Sequence, residues 1–156
     1  MPDRMPDRDA PGVQQRLAEL IDDFGEADVR ERQQMLLDFA RRELPLPERL
    51  RADRDAAADR AEHRIDECMT PVFLWVEVND GRVEIYADVS PEGPTARGFV
   101  ALLIDAFTGA TPAEVLAAPA DLIQQLRLPE ALGMNRMRGL HAIYHRVRRQ
   151  VGELAR

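Results

Sequence analysis

The chain has 156 residues, of which 45% are hydrophobic, and this predicts a single domain with its own core. Its 21 basic residues are all arginine, so it lacks the lysine that a Schiff base, a pyridoxal-phosphate anchor or a phosphate-binding loop requires. A single cysteine, Cys68, excludes an internal disulfide and the paired cysteines of a zinc ribbon.

The charge balance and the absence of long apolar runs argue against two further classes of protein. With 28 acidic residues the net charge is −7, which argues against a nucleic-acid binder. No apolar run approaches the roughly 20 residues that span a bilayer, and the charged N-terminus lacks a signal-peptide segment. We therefore predict a cytoplasmic protein with no membrane or nucleic-acid partner and a reduced thiol. Residues 1–12 are predicted to be a flexible tail, and residues 13–156 a single domain.

Two helices and a charged segment are predicted before the cysteine. Apolar residues recur with helical spacing over residues 13–24. Asp28 and Glu31 fit a capping box for a second helix that runs to residue 44, where a proline follows. Residues 48–63 are almost wholly arginine, aspartate, alanine and glutamate, which fits either a charged helix or a solvated linker. We favour an exposed segment.

A β-hairpin is predicted directly after the cysteine. Residues 71–78 are rich in β-branched and aromatic side chains on alternating faces. Asn79, Asp80 and Gly81 supply a turn into a second alternating strand over residues 82–88. Residues 63–66 are a candidate for a short third strand.

The rest of the chain is predicted to be helical. A proline- and glycine-rich loop over 90–95 precedes residues 98–107, which are apolar on nearly all sides, as in a buried helix. Thr111 opens a short helix with a capping box, and another helix lies within 119–126. The last helix begins at Asn135. This order predicts an α+β fold, with a small antiparallel sheet packed against helices on one face.

Cys68 is the main candidate for covalent chemistry, with the single serine, four threonines and two tyrosines as outside candidates. The following Pro71 and the preceding Asp66 and Glu67 favour a position on a connection rather than inside a layer. The two carboxylates are expected to raise the pKa of the thiol unless an arginine compensates. The alternative is an inert, buried thiol, because free cysteine is among the most buried residue types.

The segment 133–151 is rich in arginine and free of acids. Near the C-terminal end of its helix, three arginines are predicted to lie on a solvated face, where they offset the helix dipole. Arg136 and Arg138 lie near the start of the helix, where the dipole gives cations no benefit, and this favours a contact role. No metal site is predicted. The polar residues left without a catalytic or metal-binding role are His63, Ser90, His141, His145, Arg146, Arg148 and Arg149.

Five segments of the chain together form a recognisable order. They are residues 66–75, residues 82–88, Arg97-Gly98-Phe99, Thr108-Gly109 with residues 111–114, and residues 135–140. In this order they resemble the segments of SufE-type sulfur-acceptor proteins. The resemblance covers residues 13–151, weakly in the first two helices and well from Glu67 onward.

This resemblance implies an α+β fold shared with IscU-like scaffold proteins of iron–sulfur assembly. It implies that Cys68 accepts persulfide sulfur from a pyridoxal-phosphate-dependent, SufS-like cysteine desulfurase, stimulates that enzyme, and delivers the sulfur to a downstream scaffold. It implies no cofactor or metal of the chain's own. It also implies partner contacts at Glu67, Met69, Thr70 and Arg136, the last being a candidate for stabilising the thiolate as well.

Two features depart from the family pattern. The family often has glycine before the cysteine and glutamine or serine after it, whereas this chain has Glu67 and Met69. The loop over 90–95 is also longer and richer in proline than in many members. The alternative function is a non-catalytic interaction module with an inert cysteine, in which the arginines of residues 133–151 bind an acidic protein.

Overall fold

The computed structural model describes residues 12–53 and 62–155. The predicted tail, residues 1–12, therefore lies outside the described part of the chain except for Gly12, which is the N-cap of the first helix. Across the two described ranges, no helix is both long enough and apolar enough to cross a membrane.

Two amphipathic helices, α1 (Val13–Glu26) and α2 (Val29–Ala40), form the first layer. The backbone N–H of Glu31 donates to the Asp28 side chain at 2.8 Å, and the Glu31 side chain accepts from the Asp28 N–H at 3.5 Å. The predicted capping box is therefore present. The predicted end at residue 44 is wrong, because the chain leaves the helix after residue 40 and extends toward Pro45.

A short helix, α3 (Glu48–Asp53), covers the outer face of the sheet. Its Leu50 is only 5% exposed and packs in one cluster with Phe73 and Trp75. The charged residues Glu48, Arg49 and Arg51 are exposed, as predicted for this segment. Leu50 is the exception, because it anchors the helix to the sheet. The remaining residues 54–61 lie outside the described residues.

The predicted hairpin is present. Strands β1 (Val72–Asn79) and β2 (Arg82–Val89) are antiparallel, and their register runs from Val72↔Val89 to Asn79↔Arg82. Asp80 and Gly81 have φ angles of 53° and 74°, as a two-residue turn between twisted strands requires. The predicted third strand is wrong, because Arg64 forms only an isolated bridge with Phe73 in the described chain.

The chain after the hairpin is helical, and residues 98–103 are all buried, which confirms the buried helix. Thr111 caps the next helix as predicted. The helix expected within 119–126 is shorter, because Arg127 adopts a left-handed φ of 56° and separates it from another short helix. The helices are α4 (Pro94–Phe107), α5 (Pro112–Leu116), α6 (Leu122–Gln125), α7 (Leu128–Ala131) and α8 (Met134–Leu154).

The core lies between the inner face of the hairpin and the helices, chiefly α4 and α8. The α+β class with a small antiparallel sheet is confirmed. The expectation of helices on one face needs one amendment, because α3 lies on the other. The inner-face residues of the hairpin are Val72, Leu74, Val83, Ile85, Ala87 and Val89.

Candidate functional site

Cys68 lies on the connection that leads into β1, as predicted. Both ends of this connection are anchored, because Ile65 is buried and its N–H donates to the carbonyl of Val72 at 2.9 Å. Within the turn, the N–H of Cys68 donates to the carbonyl of Ile65 at 3.4 Å. The thiol is thus carried on a short turn whose base is fixed to the sheet.

Helix α8 packs directly against the cysteine through Gly139. A Cβ atom added at Gly139 would lie 3.0 Å from Sγ of Cys68 and 3.6 Å from its Cα. A larger residue at this position would require the thiol to move by a few tenths of an ångström. Gly139 lies in residues 135–140, one of the five segments that resemble the SufE family. Its contact with Cys68 depends on the packing of α8, so the sequence spacing does not predict it.

A cavity of about 220 Å³ opens beside the thiol. It brings together Cys68 and three of the four predicted partner-binding residues: Met69, Thr70 and Arg136. The fourth, Glu67, lies beside the cysteine in the chain and does not line the cavity. Met69 is 86% exposed, so its thioether stands at the surface next to the thiol. The other lining residues are Glu92, Gly93, Pro94, Thr95, Ala96, Asn135, Gly139 and Leu140.

The loop over 90–93 contributes Glu92 and Gly93 to the wall of the cavity. It is joined to the cysteine connection by a hydrogen bond from the N–H of Ser90 to the carbonyl of Pro71, at 3.4 Å. A Cβ atom at Gly93 would fall 2.1 Å from Oγ1 of Thr70, so only glycine permits this close approach. The Ser90 hydroxyl accepts a hydrogen bond from the N–H of Glu92 at 3.2 Å, which is a turn-forming role rather than a nucleophilic one.

Two arginines form hydrogen bonds at the start of α4. Arg136 is exposed on α8, and its guanidinium donates to the Thr95 hydroxyl at 3.4 Å. Arg97 donates to the carbonyls of Ala40, Val89 and Arg42, at 2.8, 3.0 and 3.1 Å respectively. Arg97 thereby ties the start of α4 to α2 and to the end of β2, which fixes one side of the cavity.

The other polar residues weighed in the sequence lie away from the cavity. Arg146 donates to the carbonyls of Glu62 and Arg64, at 3.1 and 3.3 Å, so it holds the chain entering the cysteine connection rather than only facing solvent. His63 is engaged with the carbonyl of Leu74 at 3.0 Å. Within residues 12–53 and 62–155, no group of three His, Cys, Asp or Glu is arranged to hold a metal ion.

Burial raises the pKa of the Cys68 thiol to about 11, and the negative charge of Glu67 contributes in the same direction. The expected increase is confirmed for Glu67 but not for Asp66, and burial is the larger cause. Because the thiolate is the nucleophile, the isolated protein holds Cys68 in a weakly reactive state at neutral pH.

Alkylation of Cys68 by iodoacetamide is expected to be slow at pH 7 and to increase about tenfold per pH unit up to about pH 10. The increase follows from a pKa of about 11, since the thiolate fraction keeps growing until the pH reaches the pKa. Glu67→Gln should raise the alkylation rate at fixed pH, because it removes the charge that helps to raise the pKa of Cys68. Asp66 does not contribute to that pKa shift, so Asp66→Asn should leave the alkylation rate unchanged. A rate that levels off below pH 9, with circular dichroism showing a folded protein, would contradict this prediction.

The family model for the "Fe-S metabolism associated domain" of SufE matches residues 18–151. The chain belongs to the SufE family. An uncharacterized SufE-like protein of Mycobacterium tuberculosis is 34% identical over 139 residues, which cover 88% of this chain and 92% of that protein. An uncharacterized SufE-like protein of Synechocystis is 26% identical over 129 residues, covering 82% of this chain and 75% of that one.

A solved structure shares the fold of this chain. The solution structure of a hypothetical protein from Thermus thermophilus matches with a TM-score of 0.73 at 29% identity, covering 90% of this chain and 96% of that one. Membership of the SufE family supports a role in Fe–S metabolism and sulfur transfer, and it implies interaction with a cysteine desulfurase.

Proposed function

We propose that this SufE-family protein accepts persulfide sulfur on Cys68 from a SufS-like, pyridoxal-phosphate-dependent cysteine desulfurase, and passes it to a downstream iron–sulfur scaffold. The observation that carries the proposal is the placement of Cys68 beside a cavity of about 220 Å³ that Met69, Thr70 and Arg136 also line. An inert cysteine inside the core would have no such opening. The activity belongs in the cytoplasm, where thiols are kept reduced.

The transfer is a thiol exchange without net oxidation or reduction. The Cys68 thiolate attacks the outer sulfur of the desulfurase persulfide, a new bond forms from Sγ to that sulfur, and the sulfur–sulfur bond of the donor breaks. The donor cysteine leaves as a thiolate, and Cys68 now carries the persulfide. The cavity beside Sγ has room for the added sulfur atom.

In the transfer from the desulfurase, docking compensates for the scarcity of the Cys68 thiolate. With the pKa of Cys68 at about 11, little thiolate is present at neutral pH. Arg136 is the cation in the cavity lining, and its contact with the Thr95 hydroxyl, at 3.4 Å, is long enough to be given up. In the docked complex this guanidinium pairs with the thiolate or with an acidic group of the desulfurase.

The test is the rate of alanine formation by a SufS-like desulfurase with saturating cysteine, measured with and without the protein. We expect stimulation, because transfer to Cys68 frees the desulfurase cysteine for another turnover. Stimulation that persists after Cys68 has been blocked by alkylation would contradict the proposal.

Arg136→Ala is expected to weaken this stimulation about tenfold or more at limiting protein, because it removes a charged contact from the docking surface. Arg138→Ala is the matched control, since Arg138 is exposed on the same helix but does not line the cavity. Stimulation and affinity that stay unchanged in Arg136→Ala would remove Arg136 from the site.

A further inference from the structure

The cavity beside Cys68 is lined by charges of both signs, on separate elements. Arg136 comes from α8, and Glu92 comes from the loop before α4. Among the described residues, neither side chain makes an ion pair within 4.0 Å. A basic and an acidic residue thus line one cavity without forming an ion pair with each other.

The side of the cavity near Arg136 attracts anions for a second reason. Helix α4 has 14 residues, and its N-cap, Gly93, provides no side-chain hydrogen bond. Thr95 and Ala96, in the first turn, line the cavity together with Arg136. The positive end of the α4 dipole therefore adds to the charge of the guanidinium.

The size of the cavity selects for a small molecule. Its volume of about 220 Å³ is below the roughly 300 to 1,000 Å³ of sites for drug-sized ligands. A free amino acid is small enough, and its carboxylate and ammonium match Arg136 and Glu92, respectively. Because the proposed function makes Cys68 an acceptor of sulfur, the ligand that suits this cavity carries a transferable sulfur on its side chain.

We propose that the cavity binds the persulfide of free cysteine, and that Cys68 takes its outer sulfur without a desulfurase. The proposal uses the acceptor role of Cys68 from the proposed function and adds a second donor to it. The Cys68 thiolate attacks the outer sulfur, a bond from Sγ to that sulfur forms, and the sulfur–sulfur bond of cysteine persulfide breaks. Cysteine leaves as a thiolate and takes up the proton that Cys68 lost, so atoms and electrons balance.

The chemistry of the leaving group assists attack by Cys68. The thiolate of free cysteine, with a pKa of about 8.5, is a better leaving group than that of Cys68, whose pKa is about 11. The bound amino acid also places its outer sulfur next to the acceptor, which compensates for the scarcity of the Cys68 thiolate.

The test compares three donors in the absence of any desulfurase. They are the persulfides of cysteine, of cysteamine, which lacks the carboxylate, and of N-acetylcysteine, which lacks the ammonium. Formation of the Cys68 persulfide is followed by intact mass after alkylation, and each rate is divided by the rate of the same donor with the urea-unfolded protein. We expect saturation with cysteine persulfide and a preference of about tenfold over each analogue.

Variants that remove one charge test which residues recognise the donor. Arg136→Ala should remove the preference over cysteamine persulfide, and Glu92→Gln the preference over N-acetylcysteine persulfide. Arg138→Ala and Asp66→Asn, at charges outside the cavity lining, should keep both preferences. Equal rates for the three donors, or preferences that survive in Arg136→Ala and Glu92→Gln, would overturn the inference. Transfer from the desulfurase is measured in a separate assay. If that transfer fails, the proposed function fails, but the preference among free donors is still measured independently.

Discussion

Cys68→Ser is expected to reduce desulfurase stimulation to the rate of the desulfurase alone. A serine hydroxyl occupies nearly the same space as the thiol but forms no persulfide, so the step that frees the desulfurase is lost. Because Cys68 lies on a turn and is only partly buried, we expect stability to change by less than about 1 kcal/mol. The measurement is alanine formation, accompanied by the affinity of the variant for the desulfurase.

The affinity of Cys68→Ser for the desulfurase shows whether the variant has lost sulfur transfer alone or has also lost docking. The residues that line the cavity are unchanged apart from the substituted side chain, so Cys68→Ser should still bind the desulfurase and compete with the wild-type protein. Full stimulation by Cys68→Ser would mean that the protein activates its partner by contact alone, and the acceptor role would fail.

Gly98→Ala is expected to lower the free energy of unfolding by roughly 3 kcal/mol. Gly98 lies in α4, where a Cβ atom would fall 2.1 Å from the carbonyl oxygen of Leu36 and 3.0 Å from its carbonyl carbon. Those atoms belong to the backbone of α2, so the contact is relieved only by moving one helix against the other. Urea unfolding followed by circular dichroism measures the effect.

Gly25→Ala is the matched control for this prediction. Gly25 is also helical, in α1, but a Cβ atom there meets nothing within 4 Å. Alanine at this position should leave stability unchanged or raise it by up to about 1 kcal/mol, because it reduces the backbone entropy of the unfolded chain. If both variants were as stable as the wild-type protein, the close packing of α2 against α4 would be wrong.

The parts of the fold that local chemistry determines were readable from the sequence. The capping boxes at Asp28 and Thr111 need only residues three apart, and the hairpin turn at Asp80 and Gly81 depends on two neighbouring residues. The buried helix α4 follows from an apolar run that no surface helix would tolerate. The position of Cys68 on a connection follows from its acidic neighbours and the proline after it.

The cavity was not readable, because it depends on contacts between segments far apart in the chain. Gly139 and Gly93 matter only because α8 and the loop before α4 pack against the cysteine connection. Arg146 was expected to face solvent, yet it reaches two carbonyls more than eighty residues earlier in the chain. Likewise, the anchoring role of Leu50 needs the outer face of a sheet that lies later in the sequence.

The mass of the protein after incubation with a SufS-like desulfurase and cysteine tests the acceptor role most directly. After small molecules are removed, intact mass spectrometry and peptide mapping should find one added sulfur atom, on the peptide that contains Cys68, and a reductant should remove it. A protein that stimulates the desulfurase yet carries no added sulfur on Cys68 would contradict the account.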